Sequence, residues 1–359
     1  MRGPATDWQE RNPSRDWDAG MVALNTLRGE VATALAELLI DAGRTDRRRE
    51  LDEASAILRQ GLVHPDGAVP LRASIGLRLP WILGHDADRQ AEWIEILFGP
   101  AVDHAGRDAC WQAYLLYSRL FADTVALLDR VYLEAVNSFE ARERDEQSRP
   151  GDDLEQLGVH VAWAHLLEIP AEADGSWLAT FYRRAPDWVR ARVTRWIAQQ
   201  AAEEEASQDV RARARDFLRA RVAGADPGAD KAELGAMSWS ASSTDKPADV
   251  LTAIILPALE KTGGRTENEQ GATELVERTS TICPDAAGRA LRLLVDGDEW
   301  RSLPHVAAEP LRRALENLMG SEDPEAHAEA EATIHILGAQ GFVGYRDLLA
   351  AGGQPADEA

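Results

Sequence analysis

Residues 24–43 of this chain read LNTLRGEVATALAELLIDAG. The large apolar residues in this segment follow one another mostly at steps of three and four: Leu24, Leu27, Val31, Leu35, Leu38 and Leu39. Such spacing places side chains along one side of an α-helix, whereas strands alternate with a period of two. Asp16 or Asp18 is the predicted N-cap of a helix that begins near Trp17, and Gly43 is its predicted stop. We therefore predict an amphipathic helix with one apolar stripe.

The same alternation of helix and turn continues along nearly the whole chain. Ala, Leu, Arg and Glu are abundant, and all four are strong helix formers. Further helices are predicted over residues 47–60, 69–82, 91–98, 108–122, 125–140, 154–167, 176–184, 186–204, 208–223, 248–261, 267–282, 284–295, 304–319, 324–337 and 342–349. The predicted fold class is all-α, with helices of about 10–20 residues that pair in antiparallel fashion.

Composition shifts suggest where the chain divides. Residues 1–16 are polar and contain two prolines, so they are predicted to be a disordered lead-in. Residues 17–223 form a predicted N-terminal helical block, and residues 248–351 form a C-terminal one. Residues 224–247 are rich in Gly, Ser, Ala and Asp and are predicted to be a linker or long loop. Residues 352–359 are predicted to be a disordered tail.

Net charge and cysteine content limit the binding partners and the cellular compartment that the sequence favours. There are 61 acidic and 39 basic residues, which gives a net charge of −22. A negative field of this size repels phosphate backbones and tolerates basic partners. Cys110 and Cys283 are the only cysteines, which fits a reducing compartment. The start of the chain does not read as a secretory signal, and its apolar segments are too short to span a bilayer. We predict a cytoplasmic protein.

Three turns resemble the inter-helix corner of HEAT repeats. Residues 64–72 read HPDGAVPLR, residues 185–190 read APDWVR, and residues 321–326 read SEDPEA without the Val-Arg pair. Proline pre-sets the first turn of a helix, and aspartate accepts hydrogen bonds from its free backbone N–H groups. This resemblance to HEAT and armadillo proteins implies an α-solenoid of antiparallel helix pairs with a period of about 40–47 residues.

A wider resemblance concerns both ends of the helical region. Residues 23–30, ALNTLRGE, and residues 336–349, ILGAQGFVGYRDLL, resemble the helical-repeat region of large bacterial STAND-type P-loop NTPases linked to anti-phage defence. The chain departs from that family because it has no phosphate-binding P-loop. Residues 260–264, EKTGG, contain similar letters in the wrong order and follow no apolar strand. The resemblance therefore implies the sensor or scaffold part of such a protein, without nucleotide hydrolysis.

Histidine and cysteine positions do not predict a metal or catalytic centre. His160 and His165 are five residues apart, so on a helix they diverge by about 140°. His327 and His335 share a side but have no third ligand at helical spacing. Cys283 precedes a helix start, where a thiol pKa can be lowered, and is the better candidate for reactivity. We predict no catalytic, metal-binding or cofactor-binding residues.

One region is concentrated in arginine and is the candidate binding face. Its residues are Arg183, Arg184, Arg190, Arg192, Arg195, Arg211, Arg215 and Arg219. In one interpretation these side chains bind an anion, a nucleic acid or an acidic partner. In the other they form a solvated face that pairs with acids at helical spacing, namely Glu203, Glu204, Glu205, Asp209 and Asp216.

These observations favour a non-catalytic scaffold or recognition module that binds a protein partner. It would be the sensor part of a bacterial ATPase or defence system if the wider resemblance holds. The alternative is a nucleic-acid-binding repeat protein that uses the arginine-rich face of residues 183–221. An enzyme with an unrecognised site is the third hypothesis, and it conflicts with the lack of a visible nucleophile and base pair.

Overall fold

The computed structural model describes residues 19–63, 68–138, 153–169, 176–242, 244–297 and 303–351. Within these ranges the protein is helical and contains no β-strand, which confirms the all-α prediction. Several predictions fall outside the described residues: the lead-in at 1–16, the helix start near Trp17, residues 64–67 of the first corner, and the tail at 352–359.

The chain divides into two compact units, Met1–Arg184 and Ala185–Ala359. The first unit contains eleven α-helices in its described part. They are α1 Ala19–Leu24, α2 Leu27–Arg44, α3 Arg48–Val63, α4 Ala68–Gly76, α5 Leu79–His85, α6 Gln90–Phe98, α7 His104–Tyr117, α8 Ala122–Leu127, α9 Asp129–Asn137, α10 Asp153–Leu166 and α11 Ser176–Arg184. A short 3₁₀ helix, Ala87–Arg89, joins α5 to α6.

The second unit contains the remaining helices. They are α12 Asp187–Ala202, α13 Gln208–Gly224, α14 Lys231–Ala236, α15 Pro247–Val250, α16 Leu256–Thr262, α17 Glu269–Thr279, α18 Pro284–Asp296, α19 Leu303–Val306, α20 Ala308–Met319, α21 Pro324–Ala339 and α22 Asp347–Ala351. A π-helical turn, Leu251–Ile255, connects α15 to α16, and 3₁₀ helices span Met237–Ala241 and Val343–Tyr345.

The boundary between the units lies at residues 184 and 185 rather than in the interval 224–247. That interval, predicted to be a linker or long loop, contains α14 and the 3₁₀ helix Met237–Ala241. Both elements pack against α12, and Leu234 and Met237 are buried. Residues 233–238 of the interval are therefore buried in the second unit, whereas residues 226–229 are exposed.

The predicted first helix is two helices with a break between them. Thr26 is the N-cap of α2, and its Oγ1 accepts a hydrogen bond from the Gly29 backbone N–H at 3.1 Å. A threonine that satisfies this donor starts a new helix and ends the previous one. The prediction of one continuous helix from Trp17 is therefore wrong at Asn25 and Thr26.

The core of the first unit contains a chain of hydrogen-bonded rings. The Tyr114 and Tyr132 hydroxyl oxygens lie 3.0 Å apart, and the Tyr132 hydroxyl lies 2.9 Å from His160 Nδ1. The Trp177 ring stacks on Tyr132 at 4.8 Å, and the Trp111 edge meets Tyr132 at 5.0 Å. Helices α7, α9, α10 and α11 each contribute to this cluster, so the rings hold four separate helices together.

In the second unit, the later helices pack in two rows. Helices α17 and α20 pack against each other and form one row, and α18 and α21 form the other. The two rows are in contact because α17 packs on α18 and α20 packs on α21. Ion pairs join neighbours within the rows, as between Arg313 and Glu277 and between Arg292 and Glu329. In the part of the chain that the structure describes, no helix is both long enough and apolar enough to cross a membrane.

Candidate docking groove

An open groove lies between α2, α3 and α4 in the first unit. It has a volume of about 590 Å³, and most of its ten lining residues are apolar. Leu27, Val31 and Leu35 form the α2 wall, Ile57 belongs to the α3 wall, and Leu71 is contributed by α4. This volume is within the range of natural ligand sites and is large enough for two or three side chains of a docked chain. We call this feature the docking groove.

The groove exists because α2 has two apolar faces of different kinds. Its inward face consists of small residues, Gly29, Ala32, Ala36 and Ala42, together with Leu39, and all are buried. Small inward residues let α2 approach its neighbours closely: Ser74 Oγ on α4 donates to the Gly29 carbonyl oxygen at 3.0 Å. The large residues of α2 therefore remain on the outside.

The outer apolar face of α2 is strongly exposed. Leu27 is 77% exposed and Val31 52%, and Leu38 continues the same face one turn beyond Leu35. With 100° of rotation per residue, these side chains occupy an arc of roughly 100° beside the buried arc. Helix α3 adds Ile57, which lines the same groove and is also exposed. A contiguous exposed apolar surface of this kind is characteristic of an interaction site.

Most of the predicted apolar stripe of α2 is thus exposed. A stripe at this spacing normally faces the core, but only Leu39 of the six predicted residues is buried. The physical reason is that close helix packing selects the Ala and Gly positions of α2 for the interior. Sequence reasoning had the signal for this site, since alanines at 32 and 36 also recur at helical spacing, but it counted only the larger residues.

The polar edge of α2 next to the outer face is acidic. Glu30, Glu37 and Asp41 are exposed and lie on one side of the helix at steps of seven and four residues. Glu37 pairs with Arg78 at 3.3 Å, and Asp41 pairs with Arg47. The backbone N–H of Glu30 donates to the Thr26 carbonyl oxygen at 2.9 Å, and its exposed carboxylate lies along the acidic edge of the helix. A ligand that lies along the outer face therefore passes an acidic row.

The predicted arginine-rich face is distributed over both units. Arg183 and Arg184 belong to the first unit, where Arg183 donates to Thr180 Oγ1 at 2.9 Å. In the second unit Arg190 and Arg215 are buried, and Arg211 is half-buried. Arg215 pairs with Asp245 at 2.8 Å, Arg195 with Glu267 at 2.6 Å, and Arg219 with Asp216 at 2.7 Å. Among the acids that the sequence predicts as partners of these arginines, Asp216 forms an ion pair with Arg219 of the same helix.

Arg190 is the centre of a buried ion-pair network. Its guanidinium lies 2.5 Å from an Asp230 oxygen, 2.9 Å from Glu233 Oε2 and 3.5 Å from Asp187 Oδ1. Arg221 also binds Glu233 through two nitrogens. The three carboxylates are close enough to hold a metal ion, and among the described residues they form the one such group. The arginine guanidinium already supplies their positive charge, so the cluster is a structural ion-pair network.

A second surface feature combines arginine with tryptophan on α12. The Arg192 guanidinium lies 5.1 Å from the Trp188 ring centre, and Arg195 lies 5.7 Å from Trp239. Trp239 Nε1 also donates to Glu267 at 3.3 Å. Cations over tryptophan faces form stable stacked pairs, and all four of these side chains are partly accessible.

Burial shifts the pKa of His160 and of both cysteines. Burial lowers the pKa of His160 to about 4, so the ring is neutral in the folded protein. Burial raises the pKa of Cys110 to about 12. Partial burial and Asp285 raise the pKa of Cys283, which disfavours its thiolate form. The P-loop-like letters at 260–264 form the end of α16, where Gly263 has φ +68°.

Similarity to known proteins does not add to this site. No protein-family model, curated protein or solved structure matches the chain.

Proposed function

We propose that the protein is a recognition module that binds a helical segment of a protein partner in the docking groove. The observation that carries this proposal is the outer face of α2, where Leu27, Val31 and Leu38 are exposed beside Ile57 of α3. Full burial of a completely exposed aliphatic side chain is favourable by roughly 1.5–3 kcal/mol. These four side chains are between 42% and 77% exposed, so part of that free energy is still available to a partner. A partner that covers them recovers part of this free energy on binding.

The shape and charge of the groove define the partner segment. Leu27 and Leu38 are eleven residues apart on α2, which corresponds to about 16 Å, or three helical turns. An amphipathic helix presents anchors at i, i+4 and i+7 over about 10 Å, so its apolar stripe fits within this length. The acidic row of Glu30, Glu37 and Asp41 favours a partner with lysine or arginine along one edge. The net charge of −22 also attracts such a segment from a distance.

We also propose a HEAT-like repeat arrangement for the second unit. Its support is periodic: α17 and α20 begin 39 residues apart, and α18 and α21 begin 40 residues apart. Each helix of the pair α17–α18 packs against its counterpart in α20–α21. An offset of about 40 residues between stacked equivalents is typical of HEAT repeats, which present recognition surfaces.

The resemblance of residues 23–30 and 336–349 to helical-repeat regions of bacterial P-loop NTPases supports a wider context. In that context the module acts as the sensor part of an ATPase or defence system. Sequencing of the flanking DNA tests this proposal. A P-loop domain in the same or the adjacent reading frame is the expected result, and a neighbourhood of housekeeping enzymes contradicts it.

The docking function is tested with a synthetic amphipathic helical peptide that carries leucines at i, i+4 and i+7 and lysines along one edge. We expect the peptide to bind the wild-type protein and to bind Val31→Glu at least tenfold more weakly, measured by fluorescence anisotropy. The new carboxylate sits in the apolar wall, where its desolvation opposes docking.

Leu133→Glu is the matched control, because Leu133 is an exposed leucine of the same unit outside the groove. It should leave peptide affinity unchanged. The proposal is overturned if the wild type does not bind the peptide, or if both variants lose affinity equally.

The arginine and tryptophan pairs on α12 support a second candidate function, the binding of single-stranded nucleic acid. Bases stack on tryptophan and arginine planes, and Trp188 with Arg192 and Trp239 with Arg195 provide two such surfaces. The net charge of −22 opposes this function, so it ranks second.

Oligo-dT and oligo-U binding at about 50 mM salt tests the second candidate. Binding that weakens steeply with salt and is lost in the double variant Trp188→Ala and Arg192→Ala supports it. If neither oligonucleotide is retained at low salt, the second candidate is wrong.

A further inference from the structure

We propose that a cleft between α7 and α9 binds a small zwitterion, of the size and kind of an α-amino acid with an aliphatic side chain. The cleft lies in the first unit and has a volume of about 260 Å³. None of its described lining residues belongs to the docking groove, so this site is independent of the proposed docking function.

The cleft forms because the same residue spacing occurs on both of its sides. Positions 104, 107, 108 and 111 of α7 line it, and so do positions 131, 134, 135 and 138 along α9 and at its end. Both sets follow the i, i+3, i+4, i+7 pattern, which places side chains on one face of a helix. The Arg107 guanidinium pairs with the Glu134 carboxylate between the two helices. The two lined faces are therefore turned toward each other.

The floor of the cleft is apolar. Trp111 and Val131 line it and are buried, whereas His104 and Asp108 are exposed and form its rim. The Trp111 ring is held by the aromatic core, since its centre lies 5.0 Å from that of Tyr132 in an edge-to-face contact. Apolar walls with a few polar groups are typical of small-molecule sites. A ligand of this cleft would lay an apolar end on the rigid Trp111 floor.

Arg107 can bind the carboxylate of such a ligand. Glu134 accepts one hydrogen bond from Arg107 Nη2, and its other oxygen accepts from Arg130 at 2.8 Å. Burial alone would raise the pKa of Glu134, but the hydrogen bonds from both arginines lower it. The three side chains together carry one excess positive charge. A guanidinium has five N–H donors in a fixed fork, so Arg107 can bind a second carboxylate besides that of Glu134.

Asp108 supplies the opposite charge at the rim. It lies one turn after His104 on the lined face of α7. A carboxylate has about four lone-pair sites, so Asp108 can accept a hydrogen bond from an ammonium group in addition to the contacts that it already makes. An arginine and an aspartate at the same small space favour a ligand that carries both a carboxylate and an ammonium group.

The volume of the cleft limits the size of the ligand. Water occupies about 30 Å³ per molecule in the liquid, so 260 Å³ has room for about nine non-hydrogen atoms. Leucine is a zwitterion of this size, and its branched side chain matches the floor formed by Trp111 and Val131. We therefore choose L-leucine as the probe.

Isothermal titration calorimetry of the full chain tests the proposal with three matched compounds. L-Leucine carries both charges, 4-methylpentanoate lacks the ammonium group, and 3-methylbutylamine lacks the carboxylate. We expect leucine to bind at millimolar concentration or below. Each of the other compounds should bind at least about tenfold more weakly, because it loses the hydrogen bonds to one charged side chain.

Asp108→Asn tests which residue reads the ammonium group, because it removes the charge and keeps the size of the side chain. It should weaken leucine binding by about tenfold and leave the weak binding of 4-methylpentanoate unchanged, since that compound has no ammonium group to lose. Asp123→Asn is the matched control, because Asp123 is an exposed acid of the same unit outside the cleft. It should bind leucine as the wild type does.

Ala135→Phe tests the location, because the larger side chain fills the cleft at a half-buried position of α9. It should abolish leucine binding while the helical circular dichroism spectrum stays unchanged. The proposal is overturned if leucine gives no heat of binding at millimolar concentration, or if leucine and 4-methylpentanoate bind equally well. Leucine binding that is unaffected by Asp108→Asn, or equally weakened by Asp123→Asn, also overturns it.

Discussion

His160 is a titratable group that the fold keeps neutral. Its Nδ1 faces the Tyr132 hydroxyl, and the rings of Tyr114 and Tyr132 surround it. Burial lowers its pKa to about 4, although a hydrogen bond to the Leu115 backbone acts in the opposite direction. Nothing in the sequence around residue 160 indicates this, because Tyr114 and Tyr132 are 46 and 28 residues away along the chain.

The lowered pKa of His160 predicts how stability depends on pH. The unfolded chain binds a proton near pH 6.5, whereas the folded protein does so near pH 4. The unfolded state therefore holds more protons between these values, and stability falls as pH drops from 6.5 to 4, by about 3 kcal/mol in total. In His160→Gln this part of the pH dependence should disappear from urea unfolding curves. His335→Gln, at an exposed position, should retain it.

Arg190 is predicted to contribute more to stability than any exposed arginine of the same region. Its loss in Arg190→Met leaves the buried Glu233 and its neighbours Asp187 and Asp230 without their central cation. Removal of one partner of a buried ion pair costs about 3–5 kcal/mol. Arg219→Met removes a partly exposed pair and should cost less than about 1 kcal/mol. Equal unfolding free energies for the two variants would contradict the buried network.

At the scale of the element, α2 shows both the strength and the limit of sequence reasoning. The three- and four-residue spacing predicts the helix, and its end at Arg44 lies one residue beyond the predicted stop at Gly43. The orientation of the helix about its axis is not predicted. Two apolar sets, one of large residues and one of small ones, recur at helical spacing. The packing of α3, α4 and α5 against α2 decides which set is buried.

The orientation of α2 predicts losses of stability of different size for two aliphatic substitutions. Ala36→Leu enlarges a fully buried residue in a close helix contact and should destabilise the protein by about 1–3 kcal/mol. Leu38→Ala shortens an exposed side chain and should change stability by less than about 1 kcal/mol. Thermal unfolding of both variants checks this. A larger loss in Leu38→Ala would mean that the outer face is packed within the protein.

The arginine-rich elements show why partners are harder to predict than helices. Helices α12 and α13 lie where the sequence predicts them, within two residues at each end. Some of their arginines pair with acids far along the chain, as Arg215 does with Asp245, 30 residues later, and Arg195 with Glu267, 72 residues later. Helical spacing indicates only neighbours on the same helix, so these pairs depend on the packing of later elements.

At the scale of the whole molecule, the division at residues 184 and 185 predicts that the second unit is a folding unit. Its described part contains its own buried apolar residues and the Arg190 network. A protein of residues 185–359 should therefore give a helical circular dichroism spectrum and unfold cooperatively in urea. The matched variant Arg190→Met in the same fragment should lower its midpoint. A fragment without cooperative unfolding would show that the second unit requires residues 1–184.

The size order on α2, with small residues inside and large ones outside, has a consequence for mutational tolerance. Selection for cellular abundance should restrict positions 29, 32 and 36, where a larger side chain meets a neighbouring helix, and should accept many residues at 27, 31 and 38. Selection for partner binding should instead restrict positions 27, 31 and 38. Two deep mutational scans on α2, one for abundance and one for binding in the cell, would therefore outline the interface before its ligand is known.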